Sequence, residues 1–202
     1  MSITQTPEFN TAQAAIAAGT YAEMGASAIE LYGAIRAQQA LHSGEADLAA
    51  PVGLDIGGYD GAYRPVLGAL GVERVITIEP RWDVLDKGVQ AGIIPQEDAF
   101  HGTLQEWVEA GNKPVPTAAV FNMLGALPMR PDFLQALSAA TVSGGLVVTT
   151  FREPGTMLQF MTATTRDKSL GLHALHAPGT QRIGTSTLNI RNKFLQLHRR
   201  QG

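Results

Sequence analysis

The sequence predicts an α/β protein: a mostly parallel, seven-stranded sheet with helices packed on it and a helical segment ahead of it. Three observations carry that expectation. From Leu54 onward, short apolar runs alternate with helical segments, the pattern of parallel strands joined by crossover helices. The stretch Val52-Gly-Leu-Asp-Ile-Gly-Gly-Tyr-Asp-Gly61 closes an apolar run with Asp55 and follows it with three glycines. A buried strand passes into a helix in this way through a loop lying close against a ligand, because glycine has no Cβ and admits positive φ. The run Arg74-Val-Ile-Thr-Ile-Glu79 then supplies a second apolar strand that ends in a carboxylate.

In chain order, residues 10–42 are rich in alanine and free of proline, and Tyr21–His42 reads as a helix. Ile29, Tyr32 and Ile35, with Ala28 and Gln39, recur at spacings of three and four that form one face. Gly44 closes this segment and Asp47–Pro51 links it to the first strand, so residues 1–49 form an N-terminal extension and 50–202 the main domain. Strands are expected near 52–56, 74–79, 94–98, 117–122 and 144–151. Helices fall near 61–70, 82–91, 103–111, 131–140 and 154–165. Ser143-Gly144-Gly145 reads as the turn into the fifth strand, and Leu170–Ala177 and Thr185–His198 as two further strands.

Composition narrows the function classes. A chain of 202 residues with 45% hydrophobic and 16% charged residues suits one globular domain with a real core. A formal net charge of −3 argues against a general electrostatic grip on nucleic acid or an anionic membrane. Without cysteine there are no disulfides, thiolate metal sites or cysteine nucleophiles, which agrees with a cytoplasmic location. The start, Met-Ser-Ile-Thr-Gln-Thr-Pro-Glu, has neither the basic end nor the apolar centre of a signal peptide. No apolar run approaches the ~20 residues of a membrane span.

Glycine loop, helix, strand and terminal acid make the first half of a Rossmann-like nucleoside-binding unit, with Glu79 placed to accept ribose hydroxyls. The glycine spacing selects the nucleoside. A dinucleotide fingerprint needs Gly-x-Gly-x-x-Gly, and no offset here supplies it. Asp55-x-Gly57-x-Tyr59-x-Gly61 instead resembles motif I of the class I S-adenosylmethionine-dependent methyltransferases, usually Asp/Glu-x-Gly-x-Gly-x-Gly, with Tyr59 where the middle glycine is commonest. The resemblance covers roughly residues 50–200. It implies a closing antiparallel strand pair and an N-terminal helical extension that lies over the cofactor; plain cover for the sheet is the alternative role.

Carried over by position, the resemblance implies S-adenosylmethionine contacts from Asp55, Gly57, Gly58, Tyr59, Gly61, Glu79, Pro80, Asp98, Ala99, Asn122 and Met123. Asp55 would orient the glycine loop and the methionine amino group, Glu79 the ribose. Pro80, with Trp82 beside it, would pack on one adenine face, Asp98 would accept from the exocyclic amine, and the amide of Ala99 would meet a ring nitrogen. Asn122 and Met123, after the fourth strand, would face the methyl donor. The strand-four sequence Asn122-Met-Leu-Gly125 lacks the prolines and aromatic of nucleic-acid amino-methyltransferases, which points to a small-molecule acceptor or a protein side chain. A lid would place Tyr21, Met24 and Tyr32 near that acceptor. Candidates for a general base are His101, His173 and His176, although the last two sit three apart on a strand and so face opposite ways. A catecholate-type metal triad would need acids directly after strand four, where Asn122 is followed by Met, Leu and Gly, so no metal is expected.

The function expected from these residues is methyl transfer to a small-molecule oxygen, nitrogen or carbon, with a homodimer left open. Three rivals stand beside it: an aminopropyltransferase or cyclase on the same scaffold, a non-catalytic cofactor-binding regulator, and a nicotinamide oxidoreductase.

Overall fold

A computed structural model describes residues 25–121, 130–175, 188–190 and 193–202. The helix α1 (Ala26–Leu41) precedes β1 (Ala50–Ile56), and strand and helix then alternate. They run α2 (Arg64–Ala69), β2 (Val72–Glu79), α3 (Trp82–Gln90), β3 (Ala99–His101), α4 (Leu104–Glu109), β4 (Val115–Val120), α5 (Pro131–Ala139), β5 (Thr141–Phe151) and α6 (Pro154–Arg166). Three short strands follow: β6 (Leu172–Ala174), β7 (Leu188–Ile190) and β8 (Lys193–Arg200). Proline opens α5 and α6 and is the second residue of α2, positions where its fixed φ suits a helix and its missing N–H costs nothing.

The strand order is β3-β2-β1-β4-β5-β8-β6, with β7 also on β8. The first five strands are parallel and β8 runs antiparallel to β5. Strands β6 and β7 share the position beyond β8, pairing with residues 198–200 and 193–195 respectively. The sheet therefore has seven places filled by eight strands. Within the expected strand Thr185–His198 the structure describes two strands, Leu188–Ile190 and Lys193–Arg200, paired antiparallel to each other.

Period-two alternation divides the core between the two faces. Val75, Ala119, Val148, Leu195 and Leu197 point to the face covered by α1 and α2, while Leu54, Ile56, Ala118, Val120 and Val147 meet α4, α5 and α6. α1 is buried on most sides, with Ile35 and Ala34 fully inaccessible, and shares its core with strands at the centre and the far end of the sheet. Its described residues thus cover the sheet. Tyr32 belongs to that core, 9% exposed, so the acceptor role expected for it is corrected to packing. Tyr21 and Met24 lie outside the described residues.

Two other expectations shift. The third strand is not at 94–98: Gln96–Asp98 is a single 3-10 turn, and the ladder with β2 begins at Ala99, opposite Thr77. Ser143-Gly144-Gly145 is not a turn ahead of β5 but a bulge within it. The pairing of β4 with β5 steps from Val115–Thr141 to Thr117–Leu146, and Gly144 takes φ +79°.

Candidate functional site

Strand order reverses between β1 and β4, and the loops leaving the carboxyl ends of β1, β2 and β3 converge beside that point. The glycine loop is tightly determined. Gly57, Tyr59 and Gly61 all have positive φ, at 67°, 56° and 82°, so every second residue from Gly57 to Gly61 adopts a conformation that favours glycine. Gly58 lacks that conformation but has no room: a Cβ there would lie 2.4 Å from Asp55 Oδ2 and 2.6 Å from Thr77 Cγ2. Tyr59 is the non-glycine residue that carries the strain, its ring half exposed beneath the Arg81 guanidinium at 5.6 Å.

Four of the loop's amides have acceptors inside the protein. Gly57 N and Gly58 N donate to Ile78 O at 2.7 and 3.3 Å, Tyr59 N to Glu79 Oε2 at 3.1 Å, and Gly61 N to Gly58 O at 2.8 Å. Pro65, in the first turn of α2, contributes no amide at all. A pyrophosphate held on this helix start would need such donors free. The loop offers closeness to a ligand rather than an anion cradle, which separates it from a dinucleotide site.

Glu79 ends β2 with both carboxylate oxygens engaged by backbone, Oε2 by Tyr59 N and Oε1 by Arg81 N at 3.0 Å. These bonds fix the carboxylate between the first two loops, where its remaining lone pairs face an open cleft. That cleft is a cavity of about 520 Å³, within the usual range for small-molecule sites. Ile56, Gly57, Ile78 and Glu79 form one wall; Pro80 and Arg81 form the rim. The far side is Gly102, Thr103, Leu104 and Gln105 from the start of α4 and Arg130, Asp132 and Phe133 from the start of α5.

Behind the loop, Asp55 is fully buried and neither of its carboxylate oxygens has a hydrogen-bond partner. Burial pushes its pKa from 3.8 up to about 7; Arg64 pulls it down, and Glu79 and Asp60 add to the rise. An uncompensated buried carboxyl is costly, and an incoming cationic or amine group would relieve it.

Solved structures share this architecture at low identity. A structure assigned provisionally as an RNA methyltransferase from Pyrococcus horikoshii matches with TM-score 0.58 and 16% identity, over 87% of this chain and 84% of that one. The N-methyltransferase NodS from Bradyrhizobium japonicum gives TM-score 0.57 and 14% identity, over 86% and 96%. An rRNA methylase from Streptococcus thermophilus gives 0.53 and 12%, over 83% and 96%. The chain has the class I methyltransferase fold. No family model matches the sequence, and no curated protein sequence matches it.

Within this fold, Asp55, Gly57, Gly58, Tyr59, Gly61, Glu79 and Pro80 sit together at the glycine loop and the cleft, with Gly57, Glu79 and Pro80 in the cavity lining. Asp98 and Ala99 do not. Because β3 starts five residues later than expected, at Ala99, Asp98 lies before the strand and below the cleft, buried, with Arg64 Nη2 on Oδ2 at 3.0 Å and Arg74 Nε on Oδ1 at 2.6 Å. The residues that follow β3 and line the cavity are Gly102 and Thr103. Thr103 caps α4 in a reciprocal pair with Glu106, and its amide hydrogen bond to Glu106 Oε2 at 2.7 Å holds that carboxyl below its usual pKa. The Thr103-x-x-Glu106 spacing is visible in the sequence and would have set the strand end correctly. Asn122 and Met123 lie outside the described residues.

Trp82, half exposed, packs its ring at a tilt of 56° against His101, centroids 5.2 Å apart, and is absent from the cavity wall. His101 Nε2 lies 3.1 Å from Pro80 O. His101 therefore braces the rim from outside. His173 lies away from the cleft: β6 pairs it with Arg199, level with Leu146 in the middle of β5, and β4, β5 and β8 separate β6 from β1. His176 lies outside the described residues. Among the described residues no three His, Asp or Glu side chains converge to hold a metal, and no helix is long and apolar enough to cross a membrane.

Proposed function

We propose that this protein is an S-adenosylmethionine-dependent methyltransferase acting on a small-molecule oxygen, nitrogen or carbon. One juxtaposition carries the reading: a carboxylate held between two loops in the wall of a cavity, beside a glycine loop in which the amides of Gly57, Gly58, Tyr59 and Gly61 are bonded within the protein. This suits a nucleoside without phosphates. Glu79 would accept the ribose hydroxyls, Gly57 and Gly61 would let the backbone approach the methionine portion, and Asp55 would take its amine. Pro80 and the apolar start of α4 would flank the adenine, with Gly102 and Thr103 in the place expected for Asp98 and Ala99. Asn122 and Met123 keep the role of facing the methyl donor.

When bound, the cofactor supplies an electrophilic methyl group on a sulfonium. The protein's part is to hold the acceptor in line at near-attack distance, worth about 7–11 kcal/mol in well-oriented systems. Residues 50–202 would form the catalytic unit and 1–49 its helical extension, in a cytoplasmic protein.

RNA is the second acceptor class, favoured by the RNA methylases among the similar folds. The net charge of −3 weighs against it. Calorimetry with S-adenosylhomocysteine and NAD tests the cofactor: micromolar binding of the first and none of the second is expected, and tighter NAD binding would overturn the assignment. Transfer of labelled methyl to a metabolite panel, with total RNA alongside, tests the acceptor. Label in the RNA alone would remove the small-molecule reading.

A further inference from the structure

We propose that Asp98 is a positioning residue: it holds Arg64 against β2 and thereby keeps Asp55 without an ion-pair partner, free for the amine of the ligand. The inference rests on the cofactor reading above for the identity of that amine. Arg64 is the first residue of α2, directly after the glycine loop, and its side chain is 11% exposed. Its guanidinium reaches back under the helix, donating to Val75 O, to Thr77 Oγ1 at 3.0 Å and to Asp98 Oδ2 at 3.0 Å. Thr77 pairs with Asp55 across the β1–β2 ladder. One threonine therefore separates a buried guanidinium from a buried carboxyl that has no hydrogen bond.

The arrangement is asymmetric. Asp98 receives two arginines, since Arg74 binds its other oxygen at 2.6 Å and is itself tied to Glu97 O at 3.1 Å. Asp55 receives none. The charged groups facing Asp55 are Arg64 from α2, Glu79 from β2 and Asp60 from the loop; β4 presents Ala119 opposite it. Arg64 is thus the cation that could neutralise Asp55, and Asp98 is what engages it. A buried guanidinium that loses its anionic partner turns to the next available carboxylate.

The test is the titration of Asp55 in the ligand-free protein, followed by carboxyl carbon NMR, with S-adenosylhomocysteine affinity measured between about pH 6 and 8 alongside. In the wild type the midpoint should fall near 7, and affinity should rise with pH as the carboxyl loses its proton. Asp98→Asn releases Arg64 toward Asp55: the midpoint should fall, the affinity should become flat across this range, and binding at the upper end should weaken about tenfold. Arg64→Gln removes the cation and should move the midpoint upward. Loss of packing alone would not drive the two midpoints in opposite directions. Should Asp98→Asn fail to fold, Asp98→Ser takes its place with the same expected fall, since it too removes the carboxylate that engages Arg64. Midpoints that stay put or move the same way overturn the proposal. Midpoints that move as expected in a protein that binds no S-adenosylhomocysteine would leave the positioning intact and remove the cofactor reading instead.

Discussion

Replacing Asp55 by asparagine should make the protein more stable at neutral pH, and increasingly so as pH rises. The folded-state pKa of Asp55 lies near 7 against an ordinary 3.8, so the native state binds the proton more tightly than the unfolded chain. Stability then falls as pH rises from 3.8 toward 7, and the penalty stays at its full value above that. At about 1.4 kcal/mol for each tenfold in proton affinity, the full penalty is on the order of 4 kcal/mol. Part of it is already present at mildly acid pH, so the advantage of Asp55→Asn should grow by about 3 kcal/mol between about pH 5 and 8. For a chain of this size that is a gain of about 6–12 °C in melting temperature relative to the wild type. Differential scanning calorimetry of both proteins across that range measures it, and taking the difference removes every group the two share. A difference that does not change with pH would refute the account of Asp55 as an uncompensated buried acid.

Three further outcomes are expected. Glu79→Ala should weaken S-adenosylhomocysteine binding by about 1–3 kcal/mol in calorimetry, the range for hydrogen bonds made by a charged group; normal affinity would mean that Glu79 is no ribose ligand. Tyr59→Gly should be more stable than Tyr59→Ala by about 1 kcal/mol in urea unfolding, because both lose the ring but only glycine is at ease at φ 56°; equal stabilities would remove the strain argument. Gly88→Ala should destabilise by about 1–3 kcal/mol, since its Cβ would sit 2.5 Å from Asp60 O and 2.7 Å from Ile94 Cδ1 where α3 packs on the glycine loop; an unchanged melting curve would contradict that contact.

What could be read from the sequence, and what could not, follows from the range of the interactions. Asp55, the glycines and Glu79 are legible because the loop's geometry is local: positive φ at alternate residues and a close approach at Gly58 are properties of seven consecutive positions. Glu79 was assigned by its place at a strand end, and the bonds to Tyr59 and Arg81 that orient it connect neighbouring loops. The place of Asp98 is not legible locally, because a three-residue strand carries almost no periodicity, while the ion pair that claims the side chain reaches 34 positions back to Arg64. Arg130, Asp132 and Phe133 entered the cavity wall without any local signal, for they are ordinary helix-start residues until the sheet order brings α5 beside α4. α1 was ambiguous because an alanine-rich segment suits cover and lid equally. Its packing into the core, with Ala34 and Ile35 fully inaccessible, is visible only once the sheet is assembled.

The placement of β8 has a bearing on how the chain is made. It is the last strand in sequence yet an interior one in space, lying between β5 and the β6/β7 position. The parallel half of the sheet can assemble as soon as β5 has been synthesised, and from then on β5 presents a bare edge that includes Val147, Val148 and Phe151. That edge stays open until residues 193–200 emerge, some forty residues after Phe151. During that interval a ribosome-bound intermediate offers an apolar template to any other extended chain, so the synthesis of α6 and the segments after it sets the time the nascent protein is exposed to misassociation.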